Sequence, residues 1–108
     1  MKADELAGGT RHLMYIEMKD GDIDGAAARI GWITLGAGGL SAFYRGRTLW
    51  RMRGDETRGS IFDDGSGGEY WISGIKKRGT HAHFAERVAV RIDPDARYEY
   101  QRVRAIAD

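Results

Sequence analysis

The residues in this chain best suited to binding chemistry are arginines. Between Phe43 and Arg53, four of them (Arg45, Arg47, Arg51 and Arg53) fall on odd positions. In an unbroken β-strand, side chains alternate between the two faces. These four would then project to one side with Phe43 and Leu49, and Tyr44, Thr48, Trp50 and Met52 to the other. The second set reads as the core-facing side. The first reads as a cationic stripe with an aromatic at one end, the combination that tracks a phosphate backbone and stacks bases. Lys76, Lys77 and Arg78, read as part of a loop, extend it. Nucleic acid or another polyanion is the ligand this pattern predicts. A bend at Gly46 would split the stripe, and arginines on an edge strand also serve simply to prevent aggregation.

Other constellations are weaker. Asp20, Asp22, Asp24 and Gly25 form D-x-D-x-D-G, the opening of a calcium loop. The twelfth position, where a bidentate Glu belongs, is Gly31, and the flanks read as strands. An acidic, solvated hairpin loop is the better reading. His81 and His83 alternate, so a strand would place both imidazoles on one face, but no third zinc ligand is evident. Ser41, Ser60, Ser66, Ser73 and Thr80 lie in no nucleophile elbow. The glycine clusters GAGG and GSGG lack the Lys-Ser/Thr of a phosphate loop and read as turns. No catalytic residue, metal or cofactor is therefore expected. Trp32, Trp50 and Trp71, with Tyr70, read as core. Any that prove exposed become anchors for a protein partner.

The elements that must position these residues are short strands. The chain has 108 residues, 42% apolar and 31% charged, a globular balance suited to one domain. It has no cysteine, which excludes disulfides and thiolate metal sites. No apolar run approaches the length of a membrane helix, and the start has no secretion-signal pattern, so cytoplasm is the expected compartment. Net charge is only +1, though 13 of the 17 basic residues are Arg, which favours planar bidentate contacts. Strands are predicted at His12–Lys19, Arg29–Leu35, Leu40–Arg53 (one strand, or two bent at Gly46), Ser60–Asp63, Glu69–Ser73 and Val88–Ile92. Gly31 marks a bulge or close backbone approach. Asp93-Pro94 starts a C-terminal helix, with Asp93 as cap and Pro94 at the first helical position. Ala96, Tyr100, Val103 and Ala107 share its apolar face. This pattern predicts a mainly β fold: a small SH3-like barrel, or a strongly curved antiparallel sheet of five to six strands, closed by a short helix.

The stretches Met14-Tyr15-Ile16-Glu17, Ala28-Arg29-Ile30-Gly31, Tyr44-Arg45-Gly46, Gly68-Glu69-Tyr70-Trp71-Ile72-Ser73-Gly74 with Lys76-Lys77, and Ile92-Asp93 with Asp95-Ala96-Arg97 resemble a family of small bacterial proteins of unknown function. The resemblance runs from about Met14 to Arg104, and YWISG is its most specific part. Members sometimes carry the name of a deoxyxylulose-phosphate synthase, which does not suit a chain too short for thiamine-diphosphate domains and without their motifs. The resemblance implies a self-contained domain over residues 14–108 behind an extension at 1–13, and supplies no catalytic residues. The expectation is a non-enzymatic binding module for nucleic acid or another polyanion. The alternative is a protein-interaction domain of regulatory or immunity type that uses exposed aromatics.

Overall fold

The computed structural model describes residues 10–55, 59–75, 81, 83–84 and 88–106, with the backbone alone at 53–55 and 106. Of the extension expected over residues 1–13, Met1–Gly9 lie outside the described residues, as does the basic loop Lys76, Lys77 and Arg78.

The mainly β expectation holds. Six strands form a closed antiparallel barrel: β1 (Thr10–Met18), β2 (Ala28–Leu35), β3 (Ser41–Tyr44), β4 (Arg47–Asp55), β5 (Gly59–Asp63) and β6 (Glu69–Gly74). Each pairs with its successor in sequence, and β6 returns to pair with β1, from Met14↔Gly74 to Met18↔Tyr70. Residues Thr10–Leu13, just ahead of the motif-bearing region, are already paired with Trp32–Leu35. A seventh strand, β7 (Val90–Ile92), lies parallel to β2. It pairs with Ala28–Ile30, whereas β3 pairs with Thr34 and Leu35. The sheet therefore splits beside Gly31, Trp32 and Ile33.

The segment Leu40–Arg53 is a hairpin rather than one strand. Arg45 (φ 47°) and Gly46 (φ 81°) are both left-handed, as a two-residue type I′ turn requires. This turn decides which residues face inward. Tyr44 and Arg47 are directly cross-strand and share a face, so the inward set changes from even to odd positions. Ala42 and Tyr44 point into the barrel from β3, and Leu49 does so from β4, flanked by Arg47 and Arg51. Trp50 and Met52 consequently face outward, the reverse of the core assignment expected for an unbroken strand. Arg51 pairs with Phe62 and Arg53 with Ile61, so Met52 is the extra residue of a β-bulge.

The barrel interior holds Ile16, Ile33, Leu49, Phe62 and Ile72, with the rings of Tyr44 and Tyr70. A second apolar cluster lies outside the barrel, where Tyr15, Ala28 and Ile30 are covered by Ile75, Val88, Ile92 and Tyr100. The covering helix, α1 (Arg97–Ile106), follows a 3₁₀ turn at Pro94–Ala96. Pro94 stands at the start of that turn as expected, but the Asp93 side chain does not cap it. Asp93 contributes instead its carbonyl, which accepts from Ala96 N at 2.9 Å. No helix among the described residues is long and apolar enough to cross a membrane.

Tyr100 and Val103 are half-buried, so α1 docks by the face its periodicity marks. Val103→Asp places a charge against that face and should cost about 1–3 kcal/mol. Urea denaturation measures this, and an unchanged midpoint would mean that α1 does not pack.

Candidate binding face

Two polar networks fix the surfaces of the barrel. The first fills the split beside Gly31. Arg29 is buried and donates through all three guanidinium nitrogens: Nε to Ile23 O at 2.7 Å, Nη1 to Asp93 Oδ1 at 2.8 Å and Nη2 to Asp24 O at 2.6 Å. Tyr44 Oη donates to Asp93 Oδ2. A Cβ on Gly31 would collide with the Asp93 carboxylate and lie 2.9 Å from Tyr44 Cε1, so this glycine permits the close approach. Asp24 accepts from Arg45 Nε at 2.7 Å and from Arg47 Nη2 at 2.8 Å. Those two guanidiniums, Arg47 foremost, hold its carboxyl far below the usual range.

These contacts redefine the sequence candidates. Arg45 lies in the turn, Arg47 begins β4, and both are engaged by Asp24 of the acidic loop. Asp24 therefore faces two cations rather than joining Asp20 and Asp22 around a metal. Arg51 belongs to the inward set near Gly39. The Arg53 side chain lies outside the described residues, as do Lys76, Lys77 and Arg78. Arg45, Arg47 and Arg51 do not share an outward face, because the turn reverses the alternation on which the stripe was based.

The second network anchors the chain after β6. Glu17, 1% exposed, accepts from the backbone N of His83 at 2.8 Å and of Phe84 at 3.0 Å, and from Tyr15 Oη at 2.7 Å. His81 stacks on Tyr15 and His83 on Trp71, at ring separations of 5.1 and 3.8 Å. The alternating histidines thus serve as packing surfaces. Among the described residues, no group of three or more His, Asp or Glu is placed to hold a metal.

The tryptophans differ from the core expectation. Tyr70 is buried as expected. Trp71 is half-buried under His83, and Trp32 is half-buried with Nε1 donating to Asp95 O at 3.0 Å. Trp50 is 55% exposed, Met52 57% and Leu40 62%. Leu40 O accepts from Arg51 N, so these three apolar side chains come from one short piece of surface. Register places Ser41, Trp50, Asp63 and Glu69 in a row across β3 to β6, all on the outer face. Farther toward the hairpin turn, Trp32, Phe43, Thr48, Arg45 and Arg47 line a shallow depression of about 310 Å³. Arg11 lies over the Trp32 ring at 4.7 Å. Sequence alternation missed this face because it requires knowing that Arg45-Gly46 is a turn.

Two predictions test the networks. Asp93→Asn leaves the Arg29 guanidinium buried without its counter-charge and should cost about 3–5 kcal/mol in chemical denaturation. A loss below 1 kcal/mol would show the pair to be dispensable. Burial, then the neighbouring carboxylates Asp93 and Glu17, push the Tyr44 and Tyr15 hydroxyls well above their ordinary pKa. Above about pH 10 the unfolded state loses these phenolic protons and the folded state keeps them. Stability should therefore fall with rising pH by up to about 1.4 kcal/mol per unit for each phenol. Denaturation midpoints from pH 8 to 11 measure the slope, and Tyr44→Phe and Tyr15→Phe should each flatten it.

A scan against protein-family models, a search of curated proteins and a search of solved structures each find no match to this chain.

Proposed function

We propose that this protein is a non-enzymatic binding module that engages a protein partner through the outer face of β3, β4 and β5, centred on Trp50. The observation that carries the reading is the exposure of Trp50 and Met52, at 55% and 57%, on the outer face of β4. The barrel already has an apolar interior and a second cluster under α1, and neither of these side chains belongs to either. Trp is enriched among residues that dominate protein–protein binding. Met adapts its shape to a partner, and β-bulges commonly re-aim side chains at functional sites.

A second reading keeps the polyanion. The depression between Trp32 and Phe43 has Arg45 and Arg47 on its rim, which combines stacking surfaces with cations. Asp24 already neutralises part of that charge.

One set of variants separates the two readings. Trp50 and Met52 are exposed, so Trp50→Ser with Met52→Ser should change stability by no more than about 0.5 kcal/mol each. Wild-type protein should capture a partner from native lysate after nuclease treatment, and the double variant should lose it. Unchanged capture by the double variant would rule the Trp50 face out. Nuclease-sensitive capture, weakened by Arg45→Gln with Arg47→Gln, would favour the polyanion. Two phosphate contacts on a single strand then imply a log–log salt slope of about −1.4 in an oligonucleotide titration.

A further inference from the structure

We infer that the partner segment docking on Trp50 is basic, and that it lays an arginine or lysine side chain over the indole ring beside Asp63. This rests on the reading that the Trp50 face binds protein, and it specifies the chemistry of what binds. Trp50 and Asp63 are direct cross-strand neighbours on the outer face of β4 and β5. Such pairs stand about 5 Å apart at Cβ, within one guanidinium's span. Glu69 follows Asp63 in the same row on β6. Beyond it, Lys19, Asp20 and Glu69 line a depression of about 270 Å³.

Among the described side chains, the charged groups in the outer row with Trp50 are the carboxylates of Asp63 and Glu69. Asp63, Asp64 and Glu69 are on β5, β6 and their connecting turn. Among the described residues, the one cation paired with them is Lys19, with Nζ 3.9 Å from Glu69 Oε1. Arg51, adjacent in sequence, turns into the inward set. Asp64 is engaged by its own turn and by β6: Oδ1 accepts from Ser66 N, Ser66 Oγ and Gly68 N, and Oδ2 from Tyr70 Oη at 3.3 Å. Asp63 accepts from Gly65 N, and its side chain is part-exposed on the outer face beside Trp50.

A π-face attracts a cation, and a carboxylate at its edge pairs with the same cation. The arrangement repels phosphate and acidic side chains, so it selects against nucleic acid at this position. An exposed cation–π contact is worth about 2- to 5-fold in affinity, and the carboxylates add a salt-sensitive increment.

The test uses the intact protein, ¹⁵N-labelled, and the peptide acetyl-Arg-Leu-Ala-Arg-amide, with norleucine and glutamate versions in place of both arginines. Addition of the arginine peptide should move the Trp50 indole N–H and the amides of Asp63 and Glu69 saturably. Asp63→Asn, which keeps an oxygen for Gly65 N, should weaken binding about 3-fold or more, and Trp50→Ala should weaken it further, since both the cation–π contact and the apolar surface of the ring are lost. The norleucine peptide should bind several-fold more weakly and the glutamate peptide not at all. Equal binding of norleucine and arginine peptides, absence of shifts at Trp50, or no effect of Asp63→Asn overturns the inference. A doubling of solution mass that Trp50→Ser reverses also overturns it, since a second copy would then occupy the face. The underlying reading is judged separately. A lysate partner lost with Trp50→Ser but retained by Asp63→Asn with Glu69→Gln leaves protein binding standing and removes only the basic chemistry. A partner retained by all variants removes both.

Discussion

The buried ion pair of Arg29 and Asp93 is the constraint on which the rest of the barrel depends. Arg29 reaches the loop before β2 through two carbonyls and the start of the C-terminal segment through a carboxylate. Asp93 in turn receives the Tyr44 hydroxyl from the end of β3. Four separate pieces of chain are thereby held where the sheet divides. A buried pair adds little over a well-packed apolar replacement, but once present it is costly to break. It also fixes geometry, since a planar guanidinium with three satisfied directions tolerates little rotation. Gly31 is the steric counterpart of this arrangement: the space a side chain would take there is occupied by Asp93 and Tyr44.

The same junction organises the turn that exposes Trp50. Arg45 adopts a left-handed conformation that L-residues usually avoid. Its guanidinium is held by Asp24 and lies 3.6 Å from Asp93. Once the turn has two residues, parity sends Leu49 inward and Trp50 outward. Arg47 and Arg51 fall at the two ends of the inward row, where long side chains can reach past the barrel rim. The exposed apolar face is thus a geometric consequence of polar contacts on the opposite side of the hairpin.

Strand positions, the β-rich class and the terminal helix were legible because they rest on alternation, turn residues and Pro94, which are local signals. The requirement for a small residue at Gly31 was legible as well. The function of Asp93 was not: Asp before Pro reads as a helix cap, and only the fold brings Arg29 and Tyr44 to it. The single-face arrangement of the arginines is broken twice, by the two-residue turn at Arg45-Gly46 and by the bulge at Met52, which sets Arg51 and Arg53 opposite the adjacent residues Phe62 and Ile61. Tyr-Arg-Gly-Arg carries a weaker turn signal than Asn-Gly or Asp-Gly. Glu17 illustrates a different gap. Nothing in HLMYIEMK distinguishes a solvated glutamate from one that binds two backbone amides of a segment more than sixty residues away.

Closure of the barrel by β1 has a kinetic consequence. The first strand of the barrel needs the last one, with Met14 opposite Gly74, before every strand has two neighbours. On the ribosome, β1 and β2 can pair early, but the second edge of β1 stays open until β6 has emerged. Such distant pairings place a domain among the slower two-state folders, in the millisecond-to-second range. During synthesis the nascent chain therefore presents an unpaired strand edge carrying Tyr15, Ile16 and Met18, and this interval is when it is most exposed to misassociation.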